Sequence, residues 1–281
     1  MQLLSNRTIS AGKKILKCLD IKDQIIKDVY KLKDSKEIKL KTLPVLSDYM
    51  CGFRENELSI FSGPSGVGKT TLLSQISLDY ALQDISTLWC SFEIKNSRLA
   101  LTMMEQMSQR PIISSDNIDN TMLSDSINNL SKLPLFLLDC QGKYDHDEFF
   151  DLLQESSEIH GIRHIIIDNL QFMLSNSWRG NFDKFDLFER TITALRALCN
   201  TYPFHVSLVV HPRKEDDNVP LGLSSISGTA KATQEADNVF ILQRIDGNYF
   251  LDIKKNRFGG KLGRIPIEFN QQTKEIKEIL S

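Results

Sequence analysis

Eight residues constrain this chain more than any others: Gly63-Pro64-Ser65-Gly66-Val67-Gly68-Lys69-Thr70. They match G-x-x-x-x-G-K-[ST] in full, directly after the apolar run Leu58–Ser62 and directly before a helical pattern over 69–82. Gly66 and Gly68 let the backbone curl so that successive N–H groups point into one concavity. Those groups and the helix N-terminus bind phosphate oxygens. The candidate nucleotide contacts are Gly63, Ser65, Gly66, Val67, Gly68, Lys69, Thr70 and Thr71. Lys69 is expected on the β- and γ-phosphates, and the Thr70 hydroxyl on Mg²⁺. The chain is expected to bind ATP or another NTP with Mg²⁺.

The loop also fixes how the rest of the chain is read. Apolar runs of strand length recur at Leu58–Ser62, Thr87–Glu93, Pro134–Asp139, His164–Asp168 and Val206–His211. Helical patterns fall between them near 69–82, 97–109, 147–158 and 182–200. Continuous apolar strands alternating with helices predict an α/β fold whose sheet is mostly parallel and buried. Three further runs, Val239–Gln243, Phe250–Lys254 and Ile265–Phe269, follow without helices, so the sheet should end in an antiparallel extension. Pro266 cannot donate to a ladder, which predicts that the last of these strands is an edge.

Upstream of the loop the chain changes character. Residues 1–45 hold eleven Lys/Arg and five Asp/Glu, a net +6 in a chain of net charge −2. Residues 13–33 read as a helix with Ile25, Ile26, Val29 and Leu32 on one stripe. Thr42–Asp48, with Pro44, reads as a hinge. The expected division is a basic linker helix and hinge over 1–45 and an ATPase domain over 46–281. Arg7, Lys13, Lys14 and Lys17 without an acid in the first 19 residues fit either an organelle transit peptide or a solvated basic helix.

At 41% hydrophobic and 25% charged residues the chain has globular proportions, and no apolar run approaches the ~20 residues that span a bilayer. The five cysteines are odd in number and form no C-x-x-C pair. They are expected to be reduced thiols in an intracellular compartment, not a disulfide framework or zinc finger.

Two acids end strands. Asp168 closes His164-Ile165-Ile166-Ile167, the Walker B arrangement for the Mg²⁺ site. Glu93 closes Thr87–Phe92 and is the candidate base for the attacking water. His211 closes Val206–Val210, where an imidazole could sense the γ-phosphate. Lys254-Lys255-Asn256-Arg257 runs into Gly259-Gly260, the setting of an arginine finger or of a solvated basic hairpin.

Taken together, Gly63–Thr70, Ser91-Phe92-Glu93-Ile94, Ile167-Asp168-Asn169-Leu170-Gln171-Phe172, the run His211–Asp217, the run Ala230–Asn238 and Lys255-Asn256-Arg257-Phe258 resemble the helicase domain of the Twinkle-type mitochondrial replicative helicases. More broadly they resemble the DnaB-type hexameric helicases and phage helicase-primases, over about residues 45–275. The resemblance implies a RecA-like P-loop core that assembles into a ring, usually of six, with ATP between subunits. It implies Glu93 as base, Asp168 as Walker B acid, His211 as γ-phosphate sensor, and Lys255 and Arg257 acting on the neighbour's nucleotide. Channel loops for single-stranded or forked DNA would fall near 173–186 and 214–233, and the helix at 13–33 would pack on the adjacent subunit. Glu215, Asp216 and Asp217 make the second loop acidic, which leaves Lys231 as its candidate DNA contact. The implied activity is ATP-driven 5′→3′ translocation and duplex unwinding in mitochondrial DNA replication, in the matrix or nucleoid beside other replisome proteins, without membrane insertion.

No cysteine cluster for a zinc ribbon and no acidic primase motif is present, so primer synthesis is not expected. A RecA-type recombinase, or an NTP-gated DNA-binding or assembly module without unwinding, would use the same core.

Overall fold

The computed structural model describes residues 16–35, 38–113, 118–140, 146–176, 184–213, 219–226 and 230–279. Among the described residues nine strands form one sheet: β1 (Leu58–Ser62), β2 (Thr87–Ser91), β3 (Leu135–Leu137), β4 (His164–Asp168), β5 (His205–Val209), β6 (Asn238–Ile245), β7 (Asn248–Asn256), β8 (Gly263–Phe269) and β9 (Ile276–Glu278). Their spatial order is β3-β2-β4-β5-β1-β6-β7-β8-β9. The strands from β3 through β6 in that order are parallel, and β7, β8 and β9 add on antiparallel. The expected α/β class, with its antiparallel extension, is what the chain adopts.

Helices cover both faces. Side chains alternate across a strand, so Ile165 and Ile167 face one layer while Ile166 faces the other. On the first face lie α6 (His146–His160), α7 (Leu170–Asn176), α8 (Lys184–Thr201) and α9 (Ala230–Glu235), contributing Leu153, Met173, Ile192 and Leu195. On the second lie α3 (Lys69–Ala81) and α4 (Asn96–Ser108), contributing Leu72, Leu73, Ile76, Leu99 and Met103. Each such buried aliphatic side chain adds about 1.5–3 kcal/mol of transfer free energy relative to solvent.

Three sequence expectations change. Thr42–Asp48 is not a hinge: α2 (Pro44–Met50) is a helix with Pro at its first position, where the missing N–H costs nothing. Leu43, Leu46 and Met50 bury in the α3-side core. Asp79 holds the approach by accepting from the Lys41 and Thr42 amides at 2.6 and 2.7 Å. The proline marked a helix start, not a break.

Ile265–Phe269, within β8, is not the edge. β9 covers it, and Pro266 lies where that pairing stops, its carbonyl accepting from Ile279 N–H at 2.9 Å while nothing is returned. Finally, α5 (Asn120–Leu130) fills a stretch where no element was expected. Its Asn- and Ser-rich sequence has weak helix propensity. Its start signal is Asp119, whose carboxylate accepts from the Met122 amide at 2.9 Å.

Upstream, a 3₁₀ turn (Cys18–Ile21) leads into α1 (Lys22–Ser35), so the helix expected over 13–33 begins only at Lys22 among the described residues and runs two residues further. Ile25, Ile26 and Val29 are exposed on it. The basic residues Arg7, Lys13 and Lys14 lie outside the described residues. No helix among the described residues is long and apolar enough to cross a membrane.

Candidate nucleotide-binding site

The phosphate loop leaves β1 near the middle of the sheet, between β5 and β6. Gly63 has φ +148°, and a Cβ there would lie 2.0 Å from the Leu242 carbonyl oxygen on β6. No side chain fits, so glycine is required by the close approach of two backbones. Gly68, at φ +105°, turns the chain into α3.

Strand alternation then aims the other candidates. Trp89, Ile166 and Val209 face the α3 layer. Asp168 ends β4 two residues beyond Ile166, on the α3 side, whereas β2 and β5 stop at Ser91 and Val209, short of the expected ends, so Glu93 and His211 sit two residues past their strands at the same carboxyl edge. The Thr70 hydroxyl on α3 donates to Asp168 Oδ2 at 2.5 Å. Lys69 Nζ donates to the Gly63 and Pro64 carbonyls, both at 2.8 Å. Ser65 and Gly66 are exposed at the loop tip, Val67 and Thr71 half-buried.

Burial makes this edge electrostatically unsettled. Lys69 is 8% exposed, and desolvation lowers its pKa while Asp168 and Glu93 pull it back. Asp168 is 1% exposed, and desolvation pushes its carboxyl up to about 6 against the Thr70 hydrogen bond. An ammonium stripped of water and a carboxylate short of positive charge both gain when a metal–polyphosphate arrives. Desolvation and the nearby Lys69 charge hold His211 below its ordinary value, partly offset by Glu93, so the imidazole is uncharged at neutral pH.

Thr70 Oγ1 and Asp168 offer hard oxygen donors of the kind Mg²⁺ takes. Among the described residues no group of three or more His, Cys, Asp and Glu could hold a metal by itself. The cation would therefore complete its shell with phosphate oxygens and water.

The structure adds one residue that the sequence did not single out. Asn169 is fully buried and lies between Glu93 and His211. Its Nδ2 donates to Glu93 Oε2 at 2.5 Å and contacts His211 Nε2 at 2.8 Å. The direct Glu93–His211 separation is 3.7 Å. The available signal was its place immediately after the Walker B acid, where a polar residue reads as a helix cap.

The remaining candidates lie elsewhere. Lys255 pairs with Val239 near the start of β6, and Arg257 N–H donates to the Asp237 carbonyl. That is the amino edge of the parallel strands. Arg257 Nη1 donates to Asp237 Oδ1 at 2.9 Å, and Lys255 Nζ donates to the Thr233 and Gln234 carbonyls at 2.7 and 3.0 Å. The length of β1, roughly 17 Å at about 3.3 Å per residue, separates them from the chain's own phosphate loop. Lys231 Nζ pairs with Glu235 at 2.8 Å.

Of the expected DNA loops, 177–183, 214–218 and 227–229, including Glu215, Asp216 and Asp217, lie outside the described residues. In sequence, 177–183 follows α7, which begins directly after Asp168 and Asn169, and 214–218 follows the stretch His211–Arg213.

A protein-family model described as an AAA domain matches residues 27–217, more than half of the chain. The chain belongs to the AAA domain family. This AAA domain also superposes on solved structures. One, the structure of an ATPase domain, matches with a TM-score of 0.76 at 16% identity, covering 92% of this chain and 98% of that one. A DnaB-like replicative helicase, solved in a study of its interactions with primase, matches with a TM-score of 0.75 at 14% identity, covering 92% and 70%. At such identities the likeness is one of fold, a RecA-like P-loop α/β core with a mostly parallel sheet and an antiparallel extension.

Proposed function

We propose that this AAA domain is the motor of a ring-forming replicative DNA helicase, coupling ATP hydrolysis to 5′→3′ movement on single-stranded DNA and to duplex unwinding. One observation carries the reading. Lys69, Thr70, Asp168, Glu93 and His211 meet at one edge of the sheet, while Lys255 and Arg257 lie at the other. The nucleotide site would be completed by a second copy, as in a ring.

Each group then has a task. Lys69 exchanges its loop carbonyls for β- and γ-phosphate oxygens. Thr70 and Asp168 would hold Mg²⁺, which when bound neutralises charge building on those phosphates. Glu93 orients and polarises the attacking water. His211, uncharged beside the γ-phosphate, passes the difference between ATP and ADP to the segment that follows it. Arg257 of a neighbouring copy would leave Asp237 to stabilise transition-state charge across the interface. The assembly would be a hexamer by resemblance, acting with other replication proteins in the mitochondrial nucleoid.

The test is single-turnover unwinding of a forked duplex, with ATPase rates measured with and without single-stranded DNA. Unwinding that needs ATP and a 5′ tail supports the reading. DNA-stimulated hydrolysis without unwinding favours a recombinase-type or NTP-gated binding protein instead.

A further inference from the structure

Asn169, which no motif assigns, makes three side-chain hydrogen bonds at the nucleotide edge. Its amide orientation is fixed from outside the site. Phe172 N–H donates to Asn169 Oδ1 at 3.0 Å, capping the first turn of α7. With the oxygen committed to that backbone, the NH₂ must face Glu93 Oε2 and His211 Nε2, and each of its hydrogens has one acceptor. His211 Nε2 is then the lone-pair nitrogen, and the ring proton sits on Nδ1. One buried amide thereby sets the rotamer of the water-polarising carboxylate and the tautomer of the neighbouring imidazole.

The same residue roots two chain segments. Its cap begins α7, which leads into 177–183, and its contact to His211 lies just before 214–218. His211 is also held from α7, since its backbone N–H donates to Gln171 Oε1 at 3.2 Å. We infer that Asn169 is a positioning residue that locks Glu93 and His211 into one unit and ties that unit to the start of α7. The inference rests on the ATPase reading above and goes beyond it, because Asn169 acts through Glu93 and His211 and not on nucleotide or metal.

The discriminating variant is Asn169→Asp. Aspartate is as good an N-cap as asparagine, so Phe172 N–H keeps its acceptor and α7 its start. Both donor contacts vanish, and a carboxylate now faces Glu93. If Asn169 were only a cap, this variant would turn over normally. The inference predicts a kcat lower by on the order of 10–100-fold, the scale of a misplaced catalytic group. The KM for ATP should stay within about threefold, since Lys69 and Thr70 are untouched, and stimulation by single-stranded DNA should fall towards none. Added to Glu93→Gln, the change should cost less than about threefold more, because the group it positions is already lost.

Asn169→Ser, which also keeps a capping oxygen but is too short to reach either partner, should reproduce the defect. It substitutes as the test if the aspartate variant does not fold by circular dichroism. A folded Asn169→Asp or Asn169→Ser protein within about twofold of wild-type kcat, with DNA stimulation intact, overturns the inference. A wild-type protein that does not hydrolyse ATP overturns the ATPase reading instead, so the two failures are distinguishable.

Discussion

The two edges of the parallel sheet handle charge in opposite ways. At the carboxyl edge, Lys69 is held by carbonyl oxygens alone and its nearest acids are spent elsewhere: Asp168 on a hydroxyl, Glu93 on an amide. At the amino edge most charges meet an opposite charge, Lys255 excepted, whose Nζ donates to the Thr233 and Gln234 carbonyls. Asp237 holds Arg196 and Arg257, Arg54 holds Glu57 at 2.6 Å, and Arg163 holds Glu55 at 2.5 Å. Arg54 also stacks over Phe258 at 4.1 Å. Partly satisfied groups at one edge await a polyanion, whereas satisfied groups at the other hold a surface in shape. Arg257 belongs to the second set yet is 56% exposed on its side chain, which leaves it accessible to a neighbouring copy.

The largest effect that could break this contrast is at the carboxyl edge. Glu93→Gln should still bind nucleotide and Mg²⁺ but lose on the order of 10²–10⁴ in hydrolysis rate. Near-normal turnover would make Glu93 an ordinary strand-end acid. His211→Ala should cost less in binding than in coupling: hydrolysis should lose its stimulation by single-stranded DNA. Intact stimulation would reduce His211 to a packing role.

A smaller effect sharpens the comparison through pH. His164 and His205 open β4 and β5 at the amino edge, their rings 5.8 Å apart in the core beside Phe53. Burial holds His164 well below 6.5 and also lowers His205. The unfolded chain takes up these protons and the folded chain does not, so stability should fall as pH drops below about 6.5. Asp168 has the opposite sign. Its folded pKa of about 6 exceeds the ordinary 3.8, so the folded chain binds that proton first and gains stability as pH falls between those values. Urea midpoints from about pH 7.5 to about 5.5 should decline in the wild type, decline less in His164→Gln, and decline more steeply in Asp168→Asn. Parallel slopes in all three would show that neither edge carries these titrations.

What could be read from the sequence follows the same division. β1 and β4 match their expected spans residue for residue, because fully buried central strands are continuous apolar runs bounded by a phosphate loop and an acid. Lys69 and Thr70 were legible from the Gly63–Thr70 motif, and Asp168, Glu93 and His211 because each closes an apolar run. Asn169 was not, since a hydrogen-bond junction depends on three elements far apart in sequence. The amino-edge pairs were equally hidden: nothing local links Asp237 to Arg196. α5 escaped because Asn and Ser dilute its pattern. β9, only three residues long, is defined by its pairing to β8, not by its own composition.

The central claim is that one copy supplies the phosphate loop and another the finger. Lys69→Ala protein keeps Arg257, and Arg257→Ala protein keeps the loop; each alone should be inactive, the finger contributing roughly 10³–10⁵ in rate. ATPase activity should be measured on the two variants mixed, with subunit exchange verified. The account predicts that mixing restores activity at interfaces where an intact loop meets an intact finger. An active Arg257→Ala protein, or two inactive variants that exchange subunits without any recovery, would contradict it.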